Sequence, residues 1–173
     1  TRPWVRVHAT KSYVDMVTTV ADHPDVNVTF NLTPVLLTQL QAFIDGTRDI
    51  YWTLTEVPAD QLDDEQRGFL MRRFFDVNQR VVDRLPRYAE LAAIRAEAGG
   101  PDAPLDTFSV DDYRDLQVLF NLAWTDPDFL ATEPLADLVE RARDFTEEDK
   151  AVVLGEHERI VGLVFDVHRE LWD

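Results

Sequence analysis

The chain contains no cysteine. Disulfide bonds, thiolate zinc sites and cysteine nucleophiles are therefore excluded, and this composition is compatible with the cytoplasmic location that we predict. Long apolar runs are also missing, since no uncharged stretch approaches the roughly 18 residues that a membrane helix needs. We expect no membrane association and no secretory signal.

Basic residues are scarce. The chain has 17 lysines and arginines, and only Lys11 and Lys150 are lysines. Its 33 acidic residues outnumber them, which gives a formal net charge of −16. A field of this sign repels phosphate backbones, so we predict no nucleic-acid partner. A high-salt habitat and a solubilising surface encoded by a GC-rich genome both explain the acidity, and neither makes a carboxylate catalytic.

Glycine is sparse as well, with six residues in 173, and no phosphate-binding glycine motif is present. His157 and Glu158 begin like a zinc-protease motif, but Val161 stands where the second histidine ligand belongs. His168 follows on the same predicted helix. We predict no metal site and expect both histidines to be solvated.

Helical periodicity dominates what is present. Tyr13, Met16, Val17 and Val20 share one helical face, which predicts a helix over residues 10–22. Thr33 and Pro34 have the chemistry of a helix N-terminus, and this helix is expected to end at Gly46. Further helices are predicted over residues 62–75, 77–98 with a break at proline 86, 109–124 with a cap formed by Ser109 and Asp112, 133–144 and 146–172.

Two segments favour extended structure. In residues 26–32, apolar Val26, Val28, Phe30 and Leu32 alternate with polar residues, which predicts a β-strand. Residues 4–9 are expected to form a short strand or an extended approach to the first helix. A buried strand needs neighbours for its backbone groups, so a sheet with missing strands, or an exposed edge strand, is expected.

Four motifs carry a resemblance to a known family. They are Trp-Val-Arg-Val-His at residues 4–8, Tyr-Val-Asp-Met at 13–16, Thr-Phe-Asn-Leu-Thr-Pro at 29–34 with the following leucines, and Phe-Thr-Glu-Glu-Asp-Lys at 145–150. Together they resemble segments of the catalytic barrel of glycoside hydrolase family 57, the amylase and glucanotransferase group. The match covers about half of the chain, and residues 29–34 are its most specific part.

The resemblance implies a fold of α/β descent that is mostly α-helical in this chain. One or two strands would belong to a seven-stranded (β/α) barrel, accompanied by a helical insert of about four to five helices. Residues 1–58 would form the early barrel strand-helix segment and residues 59–144 the helical insert. Residues 145–173 would form a long helix that leads back toward the barrel.

The resemblance also implies a function. The parent enzyme would act on α-glucans by retaining hydrolysis or transglycosylation, without a cofactor, and this segment would form barrel wall and one side of the substrate cleft. No acidic residue here matches a catalytic motif of the family, so we assign none and expect no activity from this chain alone. Its partners would be an α-glucan or oligosaccharide and a companion chain that completes the barrel. The alternative is a stand-alone, non-catalytic helical binding module derived from that barrel.

Four residues are candidates for substrate binding: Trp4, Arg6, His8 and Asn31. Asn31 lies at the carboxyl end of the predicted strand, where its amide would bind sugar hydroxyls or stabilise a turn. Arg6 and His8 would donate hydrogen bonds to hydroxyls or form structural hydrogen bonds and ion pairs. For Trp4, core packing is favoured over stacking on a sugar face.

Overall fold

The computed structural model describes residues 4–172, without the side chains of residues 171 and 172. As predicted, these residues are mostly helical. They form two compact units: the first combines the N-terminal residues up to Asp49 with the residues from Gly155 onward, and the second is Ile50–Leu154. Among the described residues, no helix has both the length and the apolar character that crossing a membrane requires. The domain boundaries expected at residues 58 and 144 remain predictions.

The first unit opens with helical turns. Helix α1 (Trp4–His8), a π-helical turn (Ala9–Tyr13) and α2 (Val14–Ala21) follow one another directly. The helix predicted over residues 10–22 is therefore confirmed, whereas the extended structure predicted for residues 4–9 is wrong. The buried positions explain this, because Val7, Thr10, Val14 and Val17 recur every three or four residues, which is the helical period.

The β-strand predicted over residues 26–32 is not observed. Residues 26–33 form neither helix nor strand, and no strand is present anywhere in the described residues 4–172. Alternating side chains favour an extended backbone, but a strand also needs a neighbour to complete its hydrogen bonds. Val26 and Val28 are instead half exposed.

Helix α3 (Pro34–Ile44) begins as the sequence predicts. Thr33 Oγ1 accepts a hydrogen bond from the backbone N–H of Leu36 at 3.4 Å, and Pro34 occupies the first helical position. Leu40 and Phe43 are buried. The chain turns immediately afterwards at Gly46, whose φ of +102° is a conformation that suits glycine.

The second unit contains seven α-helices that lie wholly within it. They are α4 (Ile50–Glu56), α5 (Asp64–Arg73), α6 (Gln79–Val82), α7 (Pro86–Glu97), α8 (Val110–Ala123), α9 (Pro127–Leu130) and α10 (Leu135–Arg141). Helix α11 (Glu147–Trp172) begins in this unit, and its residues from Gly155 onward belong to the first. Pro86 starts a new helix, so the predicted break there is confirmed.

Helix α8 is the centre of the second unit. A capping box between Ser109 and Asp112 starts it, as the sequence predicts, and nearly all of its residues after the first turn are buried. The ring of Phe120 lies 5.1 Å from the ring of Tyr51 and 4.5 Å from that of Phe74. The aromatic-rich run at residues 69–75 thus contributes to the core.

Polar side chains are buried in the second unit and satisfy one another. Gln117 Nε2 donates to the carbonyl oxygens of Leu54 at 2.6 Å and Val57 at 3.0 Å. Lys150 Nζ donates to Val57 O at 2.6 Å and to Gln117 Oε1 at 3.2 Å, and pairs with Glu147 at 2.6 Å. Because the donors find acceptors inside the unit, we interpret this network as framework rather than as a ligand site.

Candidate functional site

A cleft of about 430 Å³ lies in the first unit between α1, α3 and the turn that follows α3. We call it the Trp4 cleft. It is lined by Trp4, Val5, Arg6, Gln39, Ala42, Phe43, Thr47, Arg48 and Asp49. The cleft forms because α1 packs against α3 and because the turn at Gly46 brings residues 47–49 back beside them.

Arg6 is anchored inside the unit. The residue is 1% exposed, its Nε donates to Asp49 Oδ2 at 3.0 Å, and its Nη1 lies 2.6 Å from His157 Nδ1. Burial lowers the pKa of the Arg6 guanidinium, and the nearby Asp49 carboxylate partly opposes this effect. These contacts form the structural ion pair that we expected as the alternative to sugar binding for Arg6. Because Arg6 also lines the cleft, its role in substrate binding stays a prediction.

His157 completes this buried group. A guanidinium has no hydrogen-bond acceptor, so His157 Nδ1 must accept and the imidazole must be neutral, with its proton on Nε2. The residue is fully buried. Our expectation that His157 is solvated is therefore wrong, because its ring lies against Arg6 inside the first unit. The spacing of residues along α11 does not reveal this contact.

Trp4 stands at the open side of the cleft. It is 48% exposed, so the expected core packing is wrong. Its indole stacks on the imidazole of His8 with ring centroids 5.2 Å apart and an interplanar angle of 17°. Residues 4 and 8 are one helical turn apart and share a face, whereas position 6 lies on the opposite side of the helix. In the strand that the sequence favoured, all three side chains would have shared one face.

Arg48 fixes the far wall of the cleft. Its Nη1 donates to the carbonyl oxygen of Phe43 at 2.6 Å, and its Nη2 pairs with Glu158 Oε1 at 2.6 Å. The guanidinium carbon also lies 4.7 Å from the centre of the Phe43 ring, a cation–π geometry. This arrangement holds a positive, planar group beside an aromatic ring at a defined position.

The structure separates the fourth candidate from the others. Asn31 lies in the irregular segment 26–33, where it is exposed, and it does not line the Trp4 cleft. Trp4 and Arg6 both line the cleft, whereas His8 does not line it and is connected to it only by its stack with Trp4. Of the four sequence candidates, three are thus close together and one is apart.

Sequence reasoning missed the α3 side of the site. Gln39, Phe43 and residues 47–49 were read as a helix and its end, without a binding role. The available signal was the polar Thr-Arg-Asp triplet that follows the glycine turn, since functional residues concentrate on loops held by rigid elements. What placed this triplet opposite Trp4 is the packing of α1 on α3.

The groups that line the Trp4 cleft are of kinds that suit the binding of a ligand. The half-exposed indole of Trp4 offers an apolar ring, and Gln39 and Thr47 add an exposed amide and a hydroxyl. A retaining glycosidase needs two carboxyl groups about 5 Å apart. Among the described residues that line this cleft, Asp49 is the one carboxylate, and it is paired with Arg6.

Comparison of the chain with protein-family models, with curated proteins and with solved structures finds no match. The resemblance to glycoside hydrolase family 57 therefore stays a prediction that rests on the motifs named above.

Proposed function

We propose that this chain is a non-catalytic part of a family 57-like glycoside hydrolase that acts on α-glucans by retaining hydrolysis or transglycosylation. In this proposal the Trp4 cleft holds an α-glucan oligosaccharide on one side of the substrate path. The catalytic carboxylates come from elsewhere in the enzyme, in the same polypeptide or in a companion chain. A cytoplasmic location and a contribution of residues 26–32 to the barrel wall are parts of the same proposal.

The observation that carries the proposal is the half-exposed indole of Trp4 in a cleft with neutral polar groups. A large apolar ring costs free energy when it is left in water, and a flat ring can cover the C–H face of a sugar. Gln39 and Thr47 supply hydrogen-bonding groups for the sugar hydroxyls beside it. The His8 ring behind Trp4 limits the motion of the indole and so reduces the entropy lost on binding.

Titration calorimetry with maltoheptaose tests this proposal directly. We expect Trp4→Ala to weaken binding by about 2- to 13-fold, the effect of losing one aromatic contact of roughly 0.5–1.5 kcal/mol. Met16→Ala is the matched control, because Met16 is 41% exposed on α2 and lies outside the cleft lining. Equal affinity for both variants, or no binding by the wild-type chain, contradicts the proposal.

An activity assay addresses the catalytic part. We expect no release of reducing sugar from starch or maltoheptaose by this chain, because the cleft lining holds a single, ion-paired carboxylate. Turnover that copurifies with the chain and is unaffected by Asp49→Asn would mean that a different site carries the chemistry.

The second candidate function is a stand-alone, non-catalytic helical interaction module. The observation that favours it is that each unit buries its own apolar core, centred on Val7, Val17 and Leu40 in the first and on α8 in the second. Such a module unfolds cooperatively in urea at a midpoint that does not depend on an added chain. Molten behaviour, with exposed apolar surface and no sharp transition, would count against it.

A further inference from the structure

Three aromatic side chains form a row along the first helical segment. The indole of Trp4 stacks on the imidazole of His8, with ring centroids 5.2 Å apart and an interplanar angle of 17°. The ring of Tyr13 lies against His8 in turn, with centroids 5.8 Å apart and a tilt of 31°. Trp4 is 48% exposed, whereas His8 and Tyr13 are half-buried. The row therefore begins at the exposed ring of the Trp4 cleft and ends at a ring that is partly withdrawn from water.

The π-helical turn Ala9–Tyr13 is what places Tyr13 in this row. In a continuous α-helix, the residue one turn after His8 is Ser12, and Tyr13 would lie roughly 140° around the helix from His8. The i→i+5 pattern of a π-turn brings residue 13 back over residue 8 instead. Because of this turn, an aromatic ring rather than a serine hydroxyl lies against His8.

Buried residues hold the π-turn in place. Ala9 and Thr10 are 0% exposed. Thr10 Oγ1 lies 3.1 Å from the carbonyl oxygen of Arg6 and 3.3 Å from that of Val7, where the helical hydrogen-bond pattern changes. Its hydroxyl therefore supplies a donor to carbonyl groups whose α-helical partners change at the turn. The turn is fixed by these contacts inside the first unit, which do not involve the aromatic rings.

We propose that Tyr13, acting through His8, is a positioning residue for the Trp4 indole. The inference rests on the proposed sugar binding by the Trp4 cleft and adds to it a residue outside the cleft lining. With Tyr13 against it, the His8 ring has fewer orientations, and so has the indole that stacks on it. An indole that is already held in one orientation loses less conformational entropy when a sugar binds. The proposal also gives the π-turn a role, since such turns are frequent at functional sites.

Replacement of Tyr13 tests the inference through a signal from Trp4 itself, without any sugar. In the full chain labelled with 5-fluorotryptophan, the ¹⁹F resonance of Trp4 is the one that Trp4→Phe removes. We expect Tyr13→Leu to move this resonance toward that of free 5-fluorotryptophan, because the indole becomes more mobile, while the resonance of the buried Trp52 stays in place. Tyr13→Phe keeps the ring and should leave the Trp4 resonance unchanged.

Titration calorimetry with maltoheptaose supplies the second readout. We expect Tyr13→Leu to weaken binding by about 2- to 13-fold, the affinity equivalent of ordering one side chain. Tyr13→Phe should stay within about twofold of the wild type. Ser12→Ala is the matched control, because Ser12 belongs to the same π-turn and is also half-buried, but has no ring in the row. This control should change neither the resonance nor the affinity.

The path through His8 has a test of its own. His8→Ala should weaken maltoheptaose binding at least as much as Tyr13→Leu does. Adding Tyr13→Leu to His8→Ala should then cause no further loss, because Tyr13 acts on Trp4 only through His8. Losses that add up in the double variant contradict this path and overturn the proposal.

Failure of the inference and failure of the proposed function give different results. A Trp4 resonance that stays in place in Tyr13→Leu, or that moves equally in Tyr13→Leu and Ser12→Ala, overturns the positioning role whatever the sugar affinity. Absence of maltoheptaose binding by the wild-type chain, with a Trp4 resonance that responds as expected, contradicts the proposed function instead. Circular dichroism checks that each variant is folded, and Tyr13→Leu should be, because leucine keeps an apolar side chain at this half-buried position.

Discussion

Replacing Asp115 by alanine tests whether buried polar contacts hold the second unit together. Asp115 is 1% exposed on α8. Its Oδ2 accepts from Arg87 Nε at 2.8 Å, and its Oδ1 accepts from the backbone N–H of Phe145 at 3.0 Å. One carboxylate thus ties α8 both to α7 and to the segment that precedes α11.

The expected cost follows from these two contacts. Loss of the charge-assisted hydrogen bond to Arg87 costs about 1.5–3 kcal/mol. Arg87 keeps contacts with Asp112 and Glu90, so the larger penalty for an uncompensated buried charge does not apply. The unsatisfied N–H of Phe145 adds about 1–3 kcal/mol. We therefore expect Asp115→Ala to lower the free energy of unfolding by about 2.5–6 kcal/mol, a large part of the stability of a domain.

Urea unfolding followed by circular dichroism measures this change. Asp111→Ala is the control, because Asp111 is on the same helix and pairs with Arg114 at 2.7 Å, but its side chain is 76% exposed. We expect that control to cost at most about 0.5 kcal/mol. Asp115→Asn keeps one of the two acceptor oxygens, so its loss of unfolding free energy should lie between those of Asp115→Ala and Asp111→Ala. Equal destabilisation by Asp115→Ala and Asp111→Ala would refute the reasoning from burial.

Three further changes have defined outcomes. Phe120→Ala removes the ring that stacks on Tyr51 and should lower the free energy of unfolding by about 3–5 kcal/mol, whereas less than about 1 kcal/mol would mean that the core there is loosely packed. Burial raises the pKa of Asp112, but hydrogen bonds from Ser109 and Arg87 outweigh it and hold that pKa below its ordinary value of 3.8. The stability that Asp112 contributes is thus fully present above its ordinary pKa of 3.8, and it is lost as the pH falls through the lower pKa of the folded state. Asp112→Asn should therefore flatten the acid side of a curve of unfolding free energy against pH. An unchanged curve would contradict this. Gly46→Ala forces a side chain onto a φ of +102° and should cost about 1–2 kcal/mol in urea unfolding, with Gly155→Ala on α11 as a control that costs nothing or stabilises.

Helix positions were predictable because their signals are local. The caps at Thr33 and Ser109, and the restart at Pro86, use side-chain and backbone chemistry within a few residues, and the structure confirms all three. The Trp4 cleft was predictable only in part. Trp4, Arg6 and His8 were candidates from one motif, but the opposite wall comes from residues about 40 positions later, and no local pattern indicates that α1 packs on α3.

The sequence by itself determined that this protein is helical, acidic and free of cysteine, and it determined where most helices begin. These properties depend on composition and on interactions between residues close in the chain. Tertiary structure alone decided that residues 4–9 are helical, that His157 is buried against Arg6, and that residues 26–32 are not a strand. Each of these depends on which distant groups become neighbours: a helix needs a surface on which to bury its face, a buried arginine needs partners, and a strand needs another strand for its hydrogen bonds.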